Sequence, residues 1–240
     1  MHIDFGTRRI EYDVRFDPKP FFQVAVDLDG SVHVVAPTGK SLEAVAERVR
    51  RKAPWIIRQI NYFERLCPNS TGHNYVAGAT LYYLGRQYRL KVIAFLGKPH
   101  VCLKDQFFYV SLADPSDTKK IEILLRQWYR ERAKTFFRDI LDKGMQKIKR
   151  HGITHTPTLV VRSMKRRWGS CTKYGKILLN LELIKVPSDC IEYVVMHELC
   201  HLVERNHTDK FYHLLSSLMP NWRKIKEKIE RGKPGVKKNE

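Results

Sequence analysis

The sequence predicts an α+β protein, with a β-rich front half and a back half that mixes helices with strands. Three features carry that reading. Before residue 115 the apolar residues fall into short runs, rich in β-branched and aromatic side chains and punctuated by Gly and Asp. At Asp114-Pro115-Ser116-Asp117 the pattern breaks, and Ile121, Leu124, Leu125, Trp128, Phe136, Ile140 and Leu141 follow helical spacing. Beyond residue 150, two strand-like runs lead into further helical segments. The expected division is therefore a β-rich domain with one helical segment at 1–115 and a second domain at 116–240.

Taken in order, the first forty residues read as strands, with residues 24–28 and 32–35 flanking Asp29-Gly30 as a hairpin. Ser41 opens a helical stretch over 42–66. Pro54 inside it has no backbone N–H to donate, which predicts two helices or a kink. Residues 72–78 read as a loop or a short strand. Residues 81–84, 88–93, 100–103 and 107–110 read as a meander of antiparallel strands. The long amphipathic helix after residue 117 runs to about Arg150, and strands follow at 158–163 and 176–181. A helix begins after Pro187 with Ser188 as its expected N-cap, and the last two helices start near Thr208 and Asn221. Residues 232–240 read as a frayed end.

The 240 residues carry 44 Lys+Arg against 25 Asp+Glu, a formal charge of +19. The excess is not spread evenly. Residues 119–173 hold 16 basic and 4 acidic residues, so +12 of the total lies on the long helix and the strand and loop after it. Such a field favours anionic partners, and a nucleic acid or nucleotide is the partner expected for this segment. Much of the long helix reads simply as a solvated face. Arg162, Lys165, Arg166 and Arg167 beside Trp168 form a denser cluster, able to hold a phosphate and stack on a base. No apolar run approaches the ~18 residues of a membrane helix, so no membrane partner is expected. The five cysteines are odd in number and widely spaced, and the N-terminus lacks a signal-like pattern. A cytoplasmic protein with reduced thiols is the expectation.

One motif carries chemistry. In His197-Glu198-Leu199-Cys200-His201 the two histidines lie one helical turn apart on one face, so both imidazoles can reach a single ion. Glu198 lies between them, within reach of a water at that ion, as a general base must be. Glu204 sits seven residues past His197, ~10 Å along a continuous helix, too far to share the ion comfortably. His213 lies farther on. His207 is the expected third ligand, provided the helix ends near Arg205-Asn206 and Asn206 adopts a left-handed conformation to turn the chain back. Cys200 reads as packing, and Glu204 either as a partner orienting a ligand histidine or as a surface acid.

Trp168-Gly-Ser-Cys171, Gly175-Lys-Ile-Leu-Leu-Asn180, the stretch from Tyr193 to Leu202, Asn206-His207 and Phe211-Tyr212 resemble the YgjP-type metal-dependent hydrolases, zincin-like proteins related to SprT-like and WLM-type proteases. Trp55-Ile56 and the Tyr83 to Arg86 segment extend the likeness upstream. Thr208 and Tyr212 depart from the commonest pattern, which has Ser and Trp there. The resemblance implies a zincin-like (minimal gluzincin-type) metallopeptidase domain behind the β-rich one. It also implies Zn2+ on His197, His201 and His207, with Glu198 as the catalytic base. Arg167, Trp168 and Tyr212 are the candidate substrate contacts, and the strand at 176–181 is the expected peptide-aligning edge. The expected activity is hydrolysis of a peptide or protein substrate, with a nucleic-acid-associated protease recruited by its basic segment as one form of it. Two other classes compete: a nucleoside triphosphate pyrophosphatase using the same metal, and a nucleic-acid-binding module whose metal is structural. The intact Glu198 argues against the last, since a structural site has no use for a base. The sequence assigns no oligomeric state.

Overall fold

The computed structural model describes residues 1–27, 30–66, 75–153, 155–164 and 167–231. The chain divides into two compact units, residues 1–72 and 73–240.

In the first unit, β1 (His2–Phe5) and β2 (Arg8–Glu11) form a hairpin, and β3 (Asp13–Asp17), β4 (Gln23–Val26) and β5 (Val32–Pro37) form a sheet ordered β3-β5-β4. The expected hairpin is present, with β4 antiparallel to β5, although residues 28 and 29 of its turn lie outside the described residues. Val24, Val34, Ala36, Val45, Val49, Ala53 and Ile56 build the core, the last four of them on α1 (Leu42–Leu66) at helical spacing. Pro54 does not split that helix in two. The carbonyl it cannot serve belongs to Arg50, an exposed residue where water can donate instead.

The second unit begins with β6 (Thr80–Tyr83), β7 (Arg86–Ala94), β8 (His100–Lys104) and β9 (Phe107–Leu112). These four strands form a sheet but not the expected meander: the order is β6-β7-β9-β8, and β7 runs parallel to β9. The chain after β7 passes beyond the neighbouring position to lay down β8, and β9 returns into the gap. The buried Phe108, Val110 and Leu112 are why β9 takes the inner place, while β8 alternates between exposed and half-buried at the rim. Phe108 and Tyr83 pack edge-on against Trp128, at 4.8 and 5.1 Å between ring centres, and Tyr129 donates its hydroxyl hydrogen to Tyr82 O at 2.8 Å. Trp128 and Tyr129 belong to α2 (Thr118–Ile148), so this sheet shares its core with the long helix. The boundary expected at 115/116 accordingly falls inside the second unit.

α2 runs as the spacing predicts, capped by the Asp117 carboxylate on Lys120 N–H at 2.9 Å. Every Lys and Arg from Lys119 to Arg150 is exposed, so the helix carries its charge on a solvated face. Three short strands follow: β10 (Leu159–Arg162), β11 (Gly169–Cys171) and β12 (Ile177–Asn180), then a 3-10 turn over Leu181–Lys185 and the helices α3 (Ser188–Cys200), α4 (Asp209–Leu218) and α5 (Trp222–Arg231). Pro187, not Ser188, occupies the N-cap of α3, and its carbonyl accepts from Cys190 and Ile191. The β6–β7 turn docks here: Leu84 and Gly85 N–H donate to Ile184 and Lys185 carbonyls. Gly85 (φ +79°) comes so close to Pro187 that a Cβ would stand 2.7 Å from its ring. Among the described residues, no helix is long and apolar enough to cross a membrane. Cys67, His73 and residues 232–240 lie outside the described residues, as does part of the loop expected at 72–78.

Candidate metal centre

The HExxH segment forms the last turns of α3, whose other face is buried through Ile191, Val195, Leu199 and Cys200. Cys200 is fully buried and its thiol is pushed up to about 12 by burial, as a packing residue would be. The helix ends at Cys200, earlier than expected. The chain then turns through hydrogen bonds from Val203 and Glu204 N–H to Cys200 O, and Thr208 N–H donates to Asn206 O across a three-residue turn. Asn206 does not take the left-handed conformation expected of it, because two tight turns reverse the chain instead.

The reversal brings His207 back to the helix. One nitrogen of each of His197, His201 and His207 lies within 4.8 Å of the others, a group that could hold one metal ion. Their chemistry fits such an ion. His201 Nδ1 faces the Glu204 carbonyl at 3.1 Å; a carbonyl only accepts, so Nδ1 carries the proton and Nε2 keeps its lone pair. His197 and His207 present their Nε2 atoms to each other at 2.9 Å. Burial, with the neighbouring histidines and Lys226, lowers His197 to about 3 and holds His207 below the ordinary imidazole value, so both stay neutral, as ligands must be. Glu204 thus orients His201, but through its backbone carbonyl, which any residue could supply.

Phe211, on α4, is the support shared by all three rings. It is fully buried, and its centroid lies 5.0, 4.7 and 4.8 Å from those of His197, His201 and His207. His197 Nδ1 has no hydrogen-bond partner among the described residues, so packing against Phe211 and Tyr193 sets that ring's direction.

Glu198 is 6% exposed. Burial raises its carboxyl to about 7, partly opposed by a hydrogen bond from Cys171 N–H and by the charge of Arg167. The geometry of β11 explains that bond. Asn180 N–H donates to Trp168 O and Thr172 N–H to Lys176 O, so residues 168, 170 and 172 bond to β12 while 169 and 171 turn their backbone groups away from it, and the Cys171 N–H reaches Glu198. At Gly169 a Cβ would lie 2.7 Å from Glu198 Oε1 and 2.8 Å from Cγ; only glycine admits the carboxylate so close. The strand expected at 176–181 to align a peptide is not an edge. β12 is the centre of the sheet β10-β12-β11, paired on both sides and buried at three of four residues, and β11 is the edge beside the site. The residue spacing of a three-residue strand containing Gly is too weak a pattern to announce β11; the close WGSC grouping was the available signal.

The candidate substrate residues flank this centre. Arg167 is exposed and donates to Ser170 Oγ at 3.3 Å. Trp168 is half-buried, and Tyr212 lies between His207 and Trp222, stacked on each at 27° and 16°. Lys165 and Arg166 lie outside the described residues. Asn180, fully buried, organises the segment: its amide donates to Met164 O at 2.7 Å and Arg167 O at 3.0 Å, and its oxygen accepts from Met164 and Glu182 N–H.

Among solved structures, the chain is similar to two metallopeptidase zymogens. Abylysin of Pyrococcus abyssi is 21% identical, with a TM-score of 0.36 over 39% of this chain and 90% of that one. Jannalysin of Methanocaldococcus jannaschii is 22% identical, with a TM-score of 0.35 over 39% and 86%. No curated protein matches the sequence. The family model described as YgjP-like, metallopeptidase domain, matches residues 22–232, nearly the whole chain. This chain belongs to the YgjP-like metallopeptidase-domain family and is a metal-dependent hydrolase.

Proposed function

We propose that the protein is a zinc peptidase in which His197, His201 and His207 hold the ion and Glu198 is the general base. The observation that carries the reading is the buried carboxylate of Glu198, pinned by Cys171 N–H next to three imidazoles that could share one ion. Zinc, when bound by three neutral ligands, acidifies a water molecule and polarises a carbonyl. Glu198 takes the proton of the attacking water and returns it to the departing amine. The Cys171 N–H holds its carboxylate in place for both transfers. Gly169 on the edge strand offers its outward-facing backbone to an extended substrate, giving grip without sequence preference. Tyr212, fixed between two rings, and Arg167 and Trp168 border the approach. All these residues lie in the second unit.

Zinc-loaded protein is expected to cleave casein, and Glu198→Gln is expected to keep its zinc while losing about 10²–10⁴-fold in turnover. Full activity in that variant would refute the mechanism. The charge of Arg167, which reaches Glu198, favours one second reading, a nucleotide phosphohydrolase with the same base and metal. Turnover of a nucleoside triphosphate with casein untouched would select it.

A further inference from the structure

Next to the triad lies a cavity of about 290 Å³ bordered by Asp209, Tyr212, Ser216, Trp222, Arg223 and Lys226. Tyr212 joins it to the metal centre, because the same ring stacks on His207 at 6.2 Å between centroids. A donor set converges here. Trp222 Nε1–H donates to Ser216 Oγ at 2.8 Å, which leaves the serine hydroxyl its own hydrogen to give. The Arg223 guanidinium lies over the Trp222 ring, 4.7 Å from its centroid, held in place while its N–H donors stay in its own plane. Lys226 is half-buried on α5 and faces the same space. Arg223, Lys226, His213 and the Ser216 hydroxyl line the space together with one carboxylate, that of Asp209. The volume stands at the lower end of the ~300–1,000 Å³ typical of small-molecule sites, which suits one residue of a chain and not a nucleoside triphosphate. One ring separates the cavity from His207, and an extended peptide advances ~3.3–3.6 Å per residue, so a group in it belongs to a residue one or two places from the bond at the metal.

We propose that this cavity receives a carboxylate of the peptide substrate, held by Lys226, Arg223 and Ser216, and that it sets the position of cleavage relative to that carboxylate. The inference rests on the peptidase reading and adds the substrate class to it. An α-carboxylate at a chain end and an Asp or Glu side chain offer the same chemistry.

Three acetylated peptides of otherwise identical sequence separate these sources: one ending in a free carboxylate, one in an amide, and one in an amide with Glu as its last residue. Binding to the zinc-loaded full-length Glu198→Gln protein is measured by calorimetry, and cleavage by the parent protein is followed separately. The free acid is expected to bind about 10–100-fold more tightly than the plain amide, as a charge-assisted hydrogen bond provides. Lys226→Met and Arg223→Met, with zinc content checked, are expected to bring that ratio close to one. If the Glu-ending amide binds as tightly as the acid, a side chain is the source; if it binds like the plain amide, the chain end is. Equal binding of acid and amide overturns the proposal. So does a preference that survives both substitutions, since the carboxylate would then sit on the metal. Peptides that bind with the expected preference and are not cleaved would overturn the peptidase reading and leave the carboxylate site standing.

Discussion

The two flanks of the histidine triad are built differently. On the α3 flank, Glu198 is 6% exposed against the edge of β11, and half-buried His197 is lowered to about 3. On the α4–α5 flank, His207 is exposed and Tyr212 and Lys226 are half-buried around an open cavity. The contrast separates two demands. Proton transfer needs groups whose charge is set by burial, and burial needs a rigid helix with a core behind it. Choosing a substrate needs accessible surface that can vary without disturbing that core.

The strongest challenge to this contrast is to remove one ligand from each flank. His197→Ala is expected to abolish stoichiometric zinc by metal analysis and to lower stability, because it also empties a packed position. His207→Ala is expected to abolish stoichiometric zinc while leaving the thermal midpoint of the metal-free protein nearly unchanged. A comparable loss of stability in both would mean the flanks are equally structural. Phe211 bridges them. Phe211→Ala is expected to cost about 3–5 kcal/mol in denaturant titration and to weaken zinc binding about 10–100-fold. Unchanged zinc affinity would show that the rings hold their places without it.

The pH response sharpens the buried side. In metal-free protein the Glu198 carboxyl is raised from 4.5 to about 7, so between those values the folded state binds more protons than the unfolded chain. This group's contribution therefore favours the folded state at pH 4.5 and falls as pH rises to 7. Glu198→Gln cannot ionise. Its stability advantage over the parent, stripped of metal, is expected to be near zero at pH 4.5 and to grow to about 3 kcal/mol by pH 8. A flat difference would mean the carboxylate is solvated in the native state. The smallest expected effect is at the edge strand. Gly169→Ala is expected to cost about 1–3 kcal/mol of stability, and by displacing the carboxylate to lower kcat more than it raises KM. Parent-like kcat would show that Glu198 does not depend on β11.

Much of this protein was legible before folding. Apolar spacing placed α2 within a residue or two, α4 and α5 begin one residue after their expected starts, and the paired histidines marked the candidate site, because helical periodicity and one-turn spacing are local properties. The topology was not local. Four strand-like runs with turn residues between them look like a meander, yet which strand lies inside depends on which face Phe108 and Val110 must bury against Trp128. The same holds for β12, whose place in the middle of its sheet is invisible in the run Ile177 to Asn180.

The charge tells a similar story. The excess in residues 119–173 is plain in the composition, but on α2 the structure turns every one of its basic side chains to solvent. By itself, the sequence nominated His197, Glu198, His201 and His207 for the chemistry, since residue type and one-turn spacing are written in the chain. Only the tertiary structure decided how those residues are tuned. The Cys171 N–H that holds Glu198, the Glu204 carbonyl that orients His201 and the space above Gly169 are backbone features. Backbone groups are the same in every residue, and only the fold gives them a place.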